Sequence, residues 1–410
     1  MRNLATYYQL CVNNLSIILP ISGAASAFLV NLLLKSHLDS AAYGEFASFL
    51  FMIATLYMIA GLGFEQVLVR LTEVEGKKIV IRNNVAIFGL FVIAISPVIC
   101  HYILLMFGVI SESDPLITAS SLLISISNLL STLYKIDGRL ISHYLFVHFW
   151  KIVLLVLVLI SYIVDGGTGF GYLELISLSL VVGFMVSCFF SSFRIVTFRS
   201  ASMPMSSLLL YSAAGAISII GFSIFDGLDR FLIKEVFDKK IFGDYFFIFA
   251  FIMSPVGIVS GYISAKQLRS YKESFNAKVF KYDYFKVLIV SAAVAITFTI
   301  FIKLLVFTGV VVLMDGYHKM LIMIFFISII RGGYSIMSMA YSILCSSQLL
   351  IVIGVVFAGA SILLFYLMIN IDGVGVVSIG LLLFILWSVR SIIYWLLIMY
   401  ESKNFKISAA

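Results

Sequence analysis

Twelve continuous apolar runs of about 20 residues leave this chain few ways to fold. They centre near Ala24, Ala54, Ile95, Ser125, Leu155, Leu180, Ser218, Ser254, Ile296, Gly332, Gly359 and Leu386. A run of that length crosses the hydrocarbon core of a bilayer as a helix, whereas barrel strands alternate over about 10 residues. With 62% hydrophobic and 11% charged residues in a chain of 410, the apolar surface exceeds what a soluble core could bury. The expected fold class is therefore an all-α integral membrane protein with twelve transmembrane helices. Pro20, Pro97 and Pro255 fall inside runs, where neighbouring helices satisfy the carbonyl that each proline frees. The first run lacks a small-residue cleavage site and is expected to be retained. Cys11, Cys100, Cys188 and Cys345 sit in or beside apolar runs without metal-type spacing, and read as small hydrophobes.

Two segments about 200 residues apart repeat one another: LLLKSHLDSAAYGEF from Leu32 to Phe46 and FLIKEVFDKKIFGDY from Phe231 to Tyr245. Leu33, Lys35, Asp39 and Gly44 recur without a gap as Leu232, Lys234, Asp238 and Gly243, and at the same offset Arg70 falls on Arg269. Six spans per copy is an even number, so the copies run in the same direction, as parallel repeats about an axis along the membrane normal. The expectation is two six-helix bundles, residues 1–200 and 201–410, around a central cavity. Loops on the N-terminal side carry roughly sixteen Lys and Arg against about six opposite, which places both termini in the cytoplasm. The net charge of +7 then reflects topology and attraction to anionic headgroups, with no nucleic acid implied.

Charges inside apolar runs cost about 2.5–3.5 kcal/mol each at the membrane centre and so call for a reason. Arg331 lies deep in the tenth run on a stripe with Ser328, Ser335, Ser338 and Ser342. Ser121, Ser125, Asn128, Thr132 and Lys135 form the matching stripe of the fourth run, with Asn128 aligned on Ser335. Arg331 reads either as an interhelical hydrogen bond or as an anion site lining a cavity, and the stripe favours the cavity. Arg390, on a face with Trp387 and Tyr394, fits both a phosphate or sugar ligand and an interface anchor. The seventh run ends in Asp226, Asp229 and Arg230; this is either helix packing closed by a salt bridge, or a titratable carboxylate whose pairing changes during transport. Glu65, at the end of the second run, is a further candidate for that ion-coupling role. Lys151 and Lys303 read as snorkelling anchors nearer the ends of their spans. No phosphate-binding GxxxxGK loop, paired-histidine metal motif or nucleophile elbow occurs, and the five histidines read as scattered in loops and helix ends. Neither catalysis nor a cofactor or metal is expected.

NLLLKSHLDSAAYGEFA followed by GLGFEQVLVR, and FDGLDRFLIKEVFDKKIFGDYFF with its Asp229–Arg230 pair, resemble the polysaccharide flippase family. These are the Wzx-type O-antigen transporters within the multidrug, oligosaccharidyl-lipid and polysaccharide exporter superfamily. The motifs cover about a quarter of the chain. The resemblance implies translocation of an undecaprenyl-pyrophosphate-linked oligosaccharide across a bacterial inner membrane by alternating access, driven by H+ or Na+. It also implies a cationic cavity in which Arg331, Arg390, Arg230, Ser335 and Asn128 contact substrate while Asp226, Asp229 and Glu65 handle the coupling ion. Membrane lipids, a glycan polymerase and a chain-length regulator are the implied neighbours. The first span, ISGAASAFLVNLLL, lacks the basic residue many such proteins carry there, so a phosphate contact from that helix is not expected. The C-terminal bundle is expected to hold most of the charge that handles substrate. The alternatives are a small-molecule or drug antiporter of the same superfamily, a membrane glycan polymerase, for which a large external loop is missing, and an assembly subunit without transport.

Overall fold

A computed structural model describes residues 2–75, 78–106, 115–165, 171–191, 196–200, 204–371 and 373–408. Among these residues the chain forms thirteen helices and three short strands. The helices are α1 (Arg2–His37), α2 (Ser40–Ala60), α3 (Phe64–Leu71), α4 (Asn83–Met106), α5 (Pro115–Asp137), α6 (Leu140–Asp165) and α7 (Tyr172–Phe190). They continue as α8 (Met205–Val236), α9 (Lys239–Glu273), α10 (Ala277–Phe307), α11 (Tyr317–Leu344), α12 (Ser347–Ile369) and α13 (Val376–Ser408). Ten of them are long and apolar enough to cross a membrane, and α2 and α4 hold shorter apolar helical stretches, Ala41–Thr55 and Asn83–Ile99. The protein is thus an all-α, multi-pass membrane protein, with each apolar run of the sequence on a helix.

The repeated segment turns out to be a helix–break–helix junction used twice. In the first copy Asp39 caps α2, its carboxylate accepting from the backbone N–H of Ala41 at 2.9 Å and of Ala42 at 2.7 Å. In the second, Asp238 caps α9 by accepting from Ile241 N–H at 2.8 Å. A short acceptor at this position satisfies backbone donors that the first helical turn cannot. Gly44 recurs for a different reason: a Cβ there would lie 2.4 Å from the carbonyl oxygen of Lys239. The run after α2 does not continue as one rod. Leu62 and Gly63 take positive φ values of 42° and 65°, so the chain breaks and restarts as the short amphipathic α3.

The chain groups into two compact units, one of residues 1–30 and 71–208, the other of residues 31–70 and 209–410. In the first unit α5, α6 and α7 pack against one another. It also holds a sheet that the apolar pattern did not foretell: β1 (Glu73–Glu75) pairs antiparallel with β2 (Lys78–Arg82), and β2 pairs parallel with β3 (Val196–Arg199). Arg82 and Arg199 both reach the Glu73 carboxylate, at 3.3 and 3.1 Å. Four helices lie between β2 and β3, so their pairing requires an even number of crossings between the two loops.

In the second unit α9 and α11 form the centre, with α2, α10 and α13 packed on them. The first copy of the repeat lies against the second here. Lys35 pairs with Asp244 at 2.5 Å with both side chains almost fully buried, and the second Asp244 oxygen accepts from Met314 N–H at 2.9 Å. Lys35 also sits 5.1 Å above the Tyr43 ring, whose hydroxyl donates to Asn31. The residues that the repeat makes equivalent to this pair, Lys234 and Glu45, are exposed. A buried pair broken on one side leaves an uncompensated charge, which costs about 3–5 kcal/mol. Asp244→Leu alone is therefore expected to lower the thermal midpoint of the purified protein sharply. Adding Lys35→Met should recover most of the loss, and a double-mutant cycle of unfolding midpoints checks it.

Candidate functional site

Within the second unit, the intramembrane charges converge on one carboxylate. Asp226, on α8, receives a hydrogen bond from Arg331 of α11 on Oδ1 and one from Arg230, one helical turn ahead, on Oδ2 at 2.8 Å. Arg230 also donates to the Asp226 carbonyl at 2.5 Å. Its Nε lies 3.4 Å from Asp229 Oδ1, close enough for ion pairing but outside hydrogen-bond geometry. The other Asp229 oxygen accepts from the Tyr245 hydroxyl of α9 at 2.6 Å. Spacing by four on α8 places Asp226 and Arg230 on one face, and the pairing across to α11 neutralises two guanidinium groups with two carboxylates.

Aromatic faces hold the cations in place. The Arg230 guanidinium lies 4.5 Å from the Phe249 ring centre, and that of Arg331 lies between Phe249 and Trp387 at 5.2 and 5.0 Å. Beside them opens a cavity of about 270 Å³ whose wall includes Phe222, Asp226, Ser260, Arg331, Ser335 and Trp387. Ser335 donates to the Gly332 carbonyl and lies 3.0 Å from the Ser264 hydroxyl, so the serine stripe of α11 lines the cavity and also joins α11 to α9.

Arg390 lies outside that wall. Its guanidinium is 1% exposed, donates to the hydroxyls of Tyr334 and Tyr394 at 3.2 and 3.1 Å, and sits over Phe225 at 4.6 Å and Phe357 at 4.8 Å. An interface anchor would keep its head in water, so burial on this scale removes that reading. Tyr334 and Phe222, stacked with centroids 5.7 Å apart, belong both to this cage and to the cavity wall.

Of the residues singled out in the sequence, Arg331, Asp226, Asp229, Arg230 and Ser335 come together, and Arg390 lies one ring behind them. Asn128 is on α5 in the first unit. The serines of its stripe turn back on their own helix, Ser121 donating to the Ile117 carbonyl and Ser125 to that of Ser121. Glu65 is in the first turn of α3, with Oε1 3.5 Å from where a Gly61 Cβ would stand. Lys303 is exposed near the end of α10, as an anchor would be. Of the five histidines, His37, His143 and His318 stand at helix ends, whereas His101 and His148 are inside α4 and α6 and none is in a loop. Tyr245 ends the repeated segment and has no charge to single it out in the sequence. It follows Asp244, which Lys35 engages, and helical spacing turns it toward the other carboxylate. Hydrogen bonds to a charged acceptor contribute about 1.5–3 kcal/mol, so Tyr245→Phe should destabilise the protein by that order in a thermal unfolding series.

No family model matches the chain, and no curated relative does. The fold does match solved structures. A multidrug resistance MATE family transporter of the MOP superfamily, in an outward-facing conformation, aligns with a TM-score of 0.62 at 14% identity over 95% of this chain and 96% of that one. A point mutant of a MATE protein aligns with a TM-score of 0.63 at 14% identity over 96% of both chains. MATE in complex with Br-NRF gives 0.59 at 14% identity, again over 96% of both. The chain therefore has the fold of MATE transporters of the MOP superfamily.

Proposed function

We propose that the protein is a flippase that moves an undecaprenyl-pyrophosphate-linked oligosaccharide, an O-antigen or similar surface-glycan repeat unit, from the cytoplasmic to the outer leaflet of a bacterial inner membrane. The observation that carries this reading is the cavity in the second unit, where Asp226, Arg331 and a serine stripe line an otherwise apolar bundle. Polar groups buried at membrane depth mark a path for a polar cargo. The flippase-like motifs, GLGFEQVLVR and the Asp229–Arg230 pair, narrow a MOP-superfamily transporter fold to this cargo class.

In this reading the substrate's pyrophosphate competes with Asp226 for Arg331, and Arg230, Ser335, Arg390 and Asn128 make the remaining substrate contacts. Asp226 and Asp229, with Glu65, then bind the coupling H+ or Na+ as their partners change, and no catalysis takes place. Six-helix bundles of residues 1–200 and 201–410 would rock as parallel repeats, with both termini cytoplasmic, and a glycan polymerase and a chain-length regulator would take up the product. A drug antiporter is the second reading. It is favoured by the aromatic share of the cavity wall, Phe222, Tyr334 and Trp387, and by the internal neutrality of the Asp226 cluster.

Complementation of a deletion strain separates the two. Arg331→Ala is expected to abolish surface glycan, with protein still in the membrane and lipid-linked repeat units accumulating on the cytoplasmic side, whereas Arg331→Lys should retain part of the display. Unchanged glycan with altered drug accumulation on deletion would replace the flippase reading with the antiporter one.

A further inference from the structure

Lys151 stands near the middle of α6 (Leu140–Asp165), in the first unit, and not near the cytoplasmic end where an anchor could reach water. At about 100° per residue it shares a helix face with Tyr144, His148, Leu154 and Val158. Those four are at most 6% exposed, while Val156, Ile160, Ile163 and Val164 on the other face are all at least 48% exposed. The lysine, itself half-buried, thus stands on the packed side of the helix.

Among the described residues, the helices closing on that face bring no counter-ion. A Cβ on Gly23 of α1 would lie 2.6 Å from His148 Cβ, and one on Gly183 of α7 would lie 2.7 Å from Trp150 Cα, so both helices approach α6 at this level. Between Leu15 and Val30, α1 carries no charged residue. The charge on α7 is Glu174, nine residues from Gly183 and so about 13 Å along the helix. On α5 the charged groups are Lys135 and Asp137, the latter taken at 2.8 Å by Arg139.

His148 stands one turn before Lys151 and His143 about a turn and a half before that, and neither can carry a negative charge. His143 Nδ1 is engaged by the Ser131 carbonyl at 3.1 Å. His148 Nδ1 is buried and, among the described residues, has no hydrogen-bond partner. The ammonium itself lies 5.7 Å from the Trp150 ring, and among the described residues no carboxylate pairs with it.

We propose that Lys151 and His148 form an anion receptor in the first unit, for a phosphoryl group. Three residues apart on one face, Lys151 and His148 have backbones about 4.5 Å apart along the axis, so an ammonium and an imidazole stand on neighbouring turns. A phosphate, whose oxygens diverge, can accept from both at once, and it supplies the negative charge that the surrounding helices lack. Such a group reaches membrane depth either on a polyprenyl diphosphate or on a bilayer phospholipid. The choice of a polyprenyl probe rests on the flippase reading; the receptor itself does not.

The test uses the full chain purified in detergent, titrated with farnesyl diphosphate, farnesol, phosphatidylglycerol and inorganic pyrophosphate, and followed by native mass spectrometry. Farnesyl diphosphate is expected to bind wild type at least tenfold more tightly than Lys151→Met, with Lys151→Arg close to wild type and farnesol not discriminating between them. A Lys151-dependent affinity for phosphatidylglycerol instead would keep the receptor and assign it to lipid headgroups, and pyrophosphate binding alone would show that the anion suffices. Equal affinity of every phosphate probe for wild type and Lys151→Met overturns the proposal. In case the variant fails to fold, the wild type gives a second readout: bound farnesyl diphosphate should shield Lys151 from reductive methylation, and an unshielded Lys151 overturns the proposal equally. Transport is not needed in either measurement, so a glycan-positive Arg331→Ala strain would refute the flippase reading and leave this result standing.

Discussion

Asp226 gives one carboxylate oxygen to Arg230 and the other to Arg331, and the centre of the second unit depends on that division. Without it Arg230 would keep Asp229 alone and Arg331 would lose its carboxylate, at a cost of about 2.5–3.5 kcal/mol for an unpaired charge at membrane depth. With it, α8 and α11 are tied across a cavity by a contact of fixed direction in a protein whose other interhelical contacts are mostly apolar and non-directional. Tyr245 extends the network to α9 through Asp229, and the rings of Phe249 and Trp387 cover the guanidinium faces. A buried ion pair adds little net stability but strongly disfavours arrangements in which it is broken.

How much of this the sequence made legible depends on the length scale of the signal. A run of about 20 apolar residues is a helix wherever the bilayer is the solvent, and each of the twelve lies on one. The Asp39 and Asp238 caps were legible as a repeat because capping is local chemistry, decided within four residues. The sheet was not legible, because β2 and β3 lie more than a hundred residues apart and each is shorter than one period of reliable alternation. The depth of Lys151 is not legible for a related reason. Its distance from the membrane surface follows from where α6 begins, and a helix boundary is the least local thing an apolar run records.

The repeat itself divides into what duplication keeps and what packing alters. The caps survive in both copies, but Lys35 is buried against Asp244 while Lys234 and Glu45 face outward. Arg70 donates to the Cys345 carbonyl at 2.7 Å, whereas Arg269, which matches it in the repeat, pairs with exposed Glu273 on its own helix. Backbone geometry is inherited by both halves because each helix junction needs it separately. Long-range partners are not, because only one member of each pair can occupy a given interior.

That distinction bears on where a charged ligand is held. Counting Asp226, Asp229, Arg230, Arg331 and Arg390 along the sequence makes the C-terminal half look rich in charge available to a substrate. In space, four of the five cancel one another and the fifth is enclosed by phenols and phenyl rings. An anion entering there must displace a carboxylate or part a stacked pair of rings before it meets an open cation. In the first unit, by contrast, Lys151 is the one charge of α6 before Asp165, yet among the described residues no carboxylate is set against it. What a ligand feels is the charge left over after the protein has paired its own, so the half with fewer ions can be the half with more to offer.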